Sequence, residues 1–215
     1  MVILSNDEGV SWEWDEGRAF ITTPEYKLCR CGHSKEKPFC DDACKTVPFD
    51  GAETATRESY ASRAEEYRGP DFVLYDVGDL CSHARFCMAA GTIWHLVTME
   101  GKRAGELLVR EASNCPSGRL TLEDAKSGER VEHKLSPSIG VVEDAGKGCS
   151  GPLWVRGGVR IESEDGTPYE TRNRVTLCRC GASTNKPFCN GNHKKVGFMD
   201  GLMEFKSKGG NQGTI

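Results

Sequence analysis

Apolar and polar residues alternate through Val10-Ser-Trp12-Glu-Trp14, break at Asp15-Glu-Gly17 and resume at Arg18-Ala-Phe20-Ile21, which predicts a β-hairpin. Tyr26-Lys-Leu28 predicts a third short strand. Residues 53–69 are polar and rich in Ala, Glu and Arg, so they read as a helix or helical linker that Gly69-Pro70 ends. Phe72-Val-Leu-Tyr75 predicts a strand, and Arg103 to Ser113 has helical spacing through Ala104, Leu107, Leu108 and Glu111. A second hairpin is expected from Leu120 to Leu135 around Lys126-Ser-Gly128. Leu153-Trp-Val155, Val159-Arg-Ile161 and Arg174-Val-Thr-Leu177 predict further strands, with a turn at Glu164-Asp-Gly166. The sum is a β-rich α+β chain.

An internal repeat cuts across this pattern. Shifting the numbering by 149 lays Leu28–Phe49 on Leu177–Phe198, with thirteen of twenty-two positions identical. Cys29, Cys31 and Cys40 fall on Cys178, Cys180 and Cys189, while Cys44 falls on His193. Three cysteines and one further soft or borderline donor within sixteen residues are a metal-site pattern, C-x-C-x8-C-x3-C/H. In each copy a strand is expected to deliver the C-x-C pair. Pro38-Phe or Pro187-Phe then opens a short helix carrying the last two donors on one face. Gly32 and Gly181 follow the C-x-C pairs, where a backbone without Cβ lets N–H groups approach sulfur.

Composition narrows the chemistry. Eleven cysteines and no apolar N-terminal segment point to a reducing, cytoplasmic setting in which clustered thiols bind metal rather than form disulfides. A net charge of -4 offers no basic face for nucleic acid, and no segment suggests a membrane. A hydrophobic fraction of 37% with 25 glycines favours small metal-stapled modules over one large core. No phosphate-binding loop, dinucleotide fingerprint or nucleophile elbow is present, so no enzyme is expected.

The middle of the chain holds Cys81-Ser-His-Ala84-Arg-Phe-Cys87 and the remote Cys115-Pro116-Ser-Gly. A C-x5-C segment with a distant C-P resembles a single-cluster ferredoxin run, with Ala84 where the central cysteine would stand. Three thiolates suit a 3Fe-4S cluster. A 4Fe-4S cluster would need another donor, for which Cys149 and His83 are the candidates. Cys149 lies in a glycine-rich loop with nothing local to complete a site, and reads as a non-ligand.

These residues carry two resemblances. The C-terminal copy resembles the CDGSH iron-sulfur domain family, the mitoNEET-like proteins, at Cys178, Cys180, Ser183, Pro187, Cys189, Gly191 and His193, with Asn190 and Asn192 as departures. The N-terminal copy keeps Cys29, Cys31, Ser34, Pro38, Cys40 and Asp41, but Asp42 replaces glycine and Cys44 replaces histidine. The middle segment resembles the divergent mono-cluster ferredoxin domain, most clearly in Cys115-Pro-Ser-Gly-Arg-Leu120. The resemblance implies one 2Fe-2S cluster on Cys29, Cys31, Cys40 and Cys44, and another on Cys178, Cys180, Cys189 and His193. A 3Fe-4S or 4Fe-4S cluster would sit on Cys81, Cys87 and Cys115. Family members pair two modules across a dimer, so two copies here are expected to form an internal pseudo-twofold pair within a monomer.

The expected organisation is a CDGSH-like module over residues 1–52, a linker over 53–70 and a ferredoxin-like single-cluster domain over 71–150. A second CDGSH-like module over 151–206 and a mobile tail over 207–215 complete it. The expected function is electron transfer with redox protein partners. Two alternatives stay open: a cluster donor to acceptor proteins, or redox and iron sensor; and a zinc-stabilised interaction module.

Overall fold

The structure is a computed structural model that describes residues 1–6 and 8–202. In chain order the elements are β1 (Val2–Ser5), β2 (Ser11–Asp15), α1 (Tyr60–Arg63), β3 (Glu65–Arg68), β4 (Phe72–Asp76), α2 (Ile93–Leu96) and α3 (Lys102–Asn114). They continue with β5 (Leu120–Asp124), β6 (Arg130–Val131), β7 (Ser138–Asp144), β8 (Cys149–Arg156), β9 (Arg174–Leu177) and α4 (Asn192–Lys195). The result is the strand-rich α+β architecture the sequence implies, in two sheets. The tail expected to be mobile lies outside the described residues. Among the described residues no helix is long and apolar enough to cross a membrane.

One sheet has the order β2-β1-β7-β8-β9 and the other β3-β4-β5-β6. Several sequence expectations hold: α3 covers the predicted helix, β4 and β9 the predicted strands, and β5 with β6 the second hairpin. The first hairpin is different. β2 pairs antiparallel with β1, not with Arg18–Ile21, and β1 runs parallel to β7 with Val2 opposite Glu143. Val2-Ile-Leu supplies the apolar strand, burying Ile3, whereas Ile21 stays 99% exposed.

Two further expectations are corrected. Residues 53–69 form only the single turn α1 and then β3, an edge strand paired with β4. Tyr60 explains the interruption: its buried ring joins the core, and its hydroxyl donates to the carbonyls of Tyr75 and Arg119. Cys149 opens β8 rather than lying in a loop. Gly151 permits this close strand pairing, because a Cβ there would stand 2.8 Å from a Val142 methyl.

Three buried clusters tie the body together. Leu108 and Ala112 of α3 pack on Leu74, Leu120 and Leu122 of the second sheet, with Ile93 and Leu96 of α2 beside them. Tyr60, Leu80, Val155, Val175 and Phe188 form a second cluster bridging central and C-terminal segments. Trp14 stacks between Phe86 and Trp154, at centroid distances of 4.8 and 4.5 Å. Arg174 of β9 makes a buried polar junction. Its buried guanidinium donates to the carbonyls of Ala112, Ser113 and Cys115 at 2.6, 2.8 and 2.7 Å, satisfying the end of α3. Glu132 balances its charge at 2.7 Å.

Candidate metal centres

Each repeat builds the same scaffold from backbone hydrogen bonds. In the C-terminal copy β9 runs straight into Cys178, whose N–H donates to the carbonyl of Pro187, while the Cys189 N–H donates to that of Thr176. In the N-terminal copy Cys29 donates to Pro38 and Cys40 to Lys27. Ser34 and Ser183 close the intervening turns, each hydroxyl donating 2.7 Å to the carbonyl of Phe39 or Phe188.

This corrects the local reading of the motif. Pro38 and Pro187 follow cis peptide bonds and open no helix. Pro-Phe instead pairs back on the strand that delivers C-x-C, through the bridges Leu28–Phe39 and Leu177–Phe188. Helical turns begin only after the third cysteine, at Ala43–Lys45 and at α4, so the third and fourth donors do not share a helical face. The glycine expectation is also sharpened. Gly181 and Gly32 have φ of 78° and 82°, and each packs against the other module: a Cβ at Gly181 would lie 2.6 Å from the Cys31 carbonyl oxygen, and one at Gly32 3.0 Å from that of Cys180. The sulfurs receive backbone N–H groups from His33 onto Cys31, Asp42 onto Cys40 and Gly191 onto Cys189, at 3.5, 3.4 and 3.3 Å.

Donor spacing decides how many metals a module takes. Two thiolates on one tetrahedral metal, each bonded at about 2.3 Å, stand about 3.8 Å apart. Cys29 and Cys31 sulfurs are 3.7 Å apart, Cys178 and Cys180 3.8 Å, and Cys189 Sγ lies 3.4 Å from His193 Nδ1. Among the described residues no three His, Cys, Asp or Glu side chains gather on one metal position. Each of these three pairs is spaced to share one metal, as each iron of a dinuclear cluster would require.

The electrostatics favour anionic sulfur at Cys178 and oppose it at Cys31, Cys180 and Cys189, which are all pushed up. The Cys178 thiol is pushed down to about 5, chiefly by the hydrogen bond from Cys180, with the Arg30 guanidinium adding to it. Burial pushes Cys189 up to about 12 and His193 down to about 4, Lys194 reinforcing the latter. A neutral imidazole is the ligand form. Sequence reading passed over the arginine inside each C-x-C, although the repeat displays it. Arg30 crosses to the other module, donating to the Cys178 carbonyl and, at 2.7 Å, to that of Pro187. Arg179 turns into its own sheet, donating to Gly151 and Val142 carbonyls and to Glu143.

The structure brings the three central cysteines together. Cys81 follows the 3-10 turn Gly78–Leu80, Cys87 sits in the turn Phe86–Met88, and Cys115 ends α3. All three line one cavity with Ala84, His83 and Arg119. Arg119, also missed from sequence, is held by Asp76 at 2.5 and 2.6 Å, and Trp94 donates to the same carboxylate. Burial, with the charges of Cys115 and Cys81 added, pushes Cys87 up to about 12. Of the two candidate fourth donors, His83 lines this cavity. Cys149 is 3% exposed on β8, opposite Asp144, and is not among the lining residues.

No curated protein and no solved structure matches the chain. Two family models do. Residues 1–43 and 150–194 match the iron-binding zinc finger of CDGSH type, and residues 67–125 match the divergent 4Fe-4S mono-cluster. With the paired donor spacing, these matches make the chain an iron-sulfur protein in which two CDGSH modules, of the kind that binds 2Fe-2S clusters, flank a divergent mono-cluster domain of the 4Fe-4S kind.

Proposed function

We propose that this protein carries electrons among three iron-sulfur centres within one chain. The ligands are Cys29, Cys31, Cys40 and Cys44 for the first 2Fe-2S cluster, and Cys178, Cys180, Cys189 and His193 for the second. Cys81, Cys87 and Cys115 hold the central cluster. Bound clusters supply one-electron redox chemistry. The polypeptide fixes the thiolates, directs N–H groups at them and sets the surrounding charge through Arg30 and Arg119.

The observation that carries this reading is the position of the C-terminal module, which contacts both other sites. The reciprocal approach of Gly32 to Cys180 and Gly181 to Cys31 supports an internal pseudo-twofold pairing of the two modules, with the chain acting as a monomer. Three thiolates around Ala84 support a central cluster of the 3Fe-4S kind, or of the 4Fe-4S kind with one iron that no cysteine holds. The partners in this reading are redox proteins, and no substrate is transformed.

Exposure favours cluster donation or sensing as a second reading, located in the N-terminal module. Cys40 and Cys44 are half-buried, whereas Cys189 and His193 are each 3% exposed. Anaerobic titration with a one-electron reductant, followed by visible absorption and electron paramagnetic resonance, tests the first reading. Electron transfer requires reversible reduction at each centre. Cluster passage to an apo-acceptor without reversible reduction supports the second.

A further inference from the structure

The geometry points to His83 as the junction between the central site and the C-terminal module, so that electrons pass from centre to centre in the order central, C-terminal, N-terminal. This rests on the electron-transfer reading and adds a route to it.

His83 lies in the loop between the ligands Cys81 and Cys87, with a left-handed φ of 59°. Histidine tolerates that region better than most side chains, yet it needs support to stay there. Lys194 of α4 provides it, its Nζ donating 2.7 Å to the His83 carbonyl, and Arg85 provides more through Asp144 and the Gly9 carbonyl. The His83 ring is thereby pressed on Gly191. A Cβ at Gly191 would stand 2.5 Å from ring atom Cδ2 and 2.8 Å from Cγ, so only glycine admits the contact. The N–H of Gly191 in turn donates to Cys189 Sγ at 3.3 Å. A continuous run of bonds and short contacts therefore joins Cys81 to Cys189.

The repeat provides an internal comparison. Gly191 corresponds to Asp42, whose N–H likewise donates to Cys40 Sγ, but whose exposed side chain pairs with Lys45 at 3.1 Å. The N-terminal donor motif, residues 29–44, meets the C-terminal module through Gly32, Gly181 and Arg30, whereas Ser11 and Trp14 of the same module reach the central segment at Ala84 and Phe86. Of the two repeated donor motifs, the C-terminal one touches the central loop through Gly191 and the N-terminal motif through Gly181.

With both clusters bound, one electron would leave the central centre and one would arrive at the C-terminal centre, with no bond made or broken. The test is His83→Gly in the cluster-loaded full chain, since glycine keeps the left-handed backbone without steric cost. His83→Asn, whose short amide also tolerates that backbone, is the second variant. After pulsed one-electron reduction, redistribution between the two centres is followed by their distinct absorption, alongside iron and sulfide content and midpoint potentials. Redistribution is expected to slow several-fold in both variants with content and potentials unchanged, and added imidazole is expected to restore the rate in His83→Gly. An unchanged rate overturns the junction. Loss of central iron in both variants also overturns it, because His83 would then be a ligand. If the wild-type protein shows no redistribution at all, the electron-transfer reading itself fails.

Discussion

Cys189 Sγ and His193 Nδ1 stand 3.4 Å apart in a pocket where both side chains are 3% exposed. At the same place in the N-terminal module Cys40 and Cys44 are half-buried. The repeat has thus kept one donor arrangement and placed it in two environments.

The first prediction concerns acid. An imidazole ligand that titrated in the ordinary histidine range would imply cluster loss in mild acid. Burial and Lys194 instead push His193 down to about 4. The stability contributed by its neutral form is complete above the ordinary histidine range, about 6.5, and is lost as pH falls through the folded value. The C-terminal cluster is expected to persist to about pH 5 and to disappear as pH falls toward about 4, with the His193→Cys variant lacking this step. Loss of the wild-type C-terminal signal already at about pH 6, measured by visible absorption, would show that burial does not protect the ligand.

Ala84 tests the central site. Restoring a thiolate there in Ala84→Cys should fix the iron that no cysteine holds. The electron paramagnetic resonance signal of an oxidised 3Fe-4S cluster, present in air-exposed wild type, should then vanish in favour of a stable 4Fe-4S cluster. Identical spectra in both proteins would remove Ala84 from the ligand geometry.

Arg174 joins β9, which leads to Cys178, to the end of α3, which carries Cys115. Arg174→Ala removes a donor from four carbonyls, those of Ala112, Ser113, Cys115 and Leu120, and leaves Glu132 without its cation, a change expected to cost about 3–5 kcal/mol. Urea unfolding of the loaded protein measures it, and central iron should be lost first. A cost below about 1 kcal/mol would mean the junction is replaceable.

Glu111 of α3 gives a pH-dependent stability in the opposite sense to His193. It is 2% exposed, and one oxygen accepts from Ala90 N–H at 2.7 Å while the other has no partner, so burial pushes it up to about 7. The folded protein therefore holds a proton that the unfolded chain releases, and stability falls as pH rises from about 4.5 to about 7. Glu111→Gln should remove that slope and stabilise the protein at pH 8 by on the order of 2 kcal/mol. An unchanged slope in denaturation across that range would place the ionisation elsewhere.

How much of this was legible in the chain follows the range of the interactions. The repeat, the C-x-C pairs, β9 and α3 rest on local spacing, and they appear where the spacing puts them. The partner of β2 does not, because β1 is a short strand whose place depends on β7, some 140 residues further along, as the Val2–Glu143 register shows. The Pro-Phe segments failed for a related reason. Proline fits a first helical turn equally well, and only pairing of Cys29 with Pro38 and Cys178 with Pro187 selects the alternative. His83 was visible solely as a spare donor, since its contact with Gly191 joins residues more than a hundred positions apart.

The most direct test of the central claim is a potentiometric titration of anaerobically prepared protein, with absorption, electron paramagnetic resonance, iron and acid-labile sulfide measured on the same sample. The account predicts coloured protein in which three centres reduce reversibly, the N-terminal all-cysteine cluster at a lower potential than the His193 cluster because thiolate adds negative charge. Colourless protein containing zinc, or iron centres that bleach on reduction and do not recover, would contradict it.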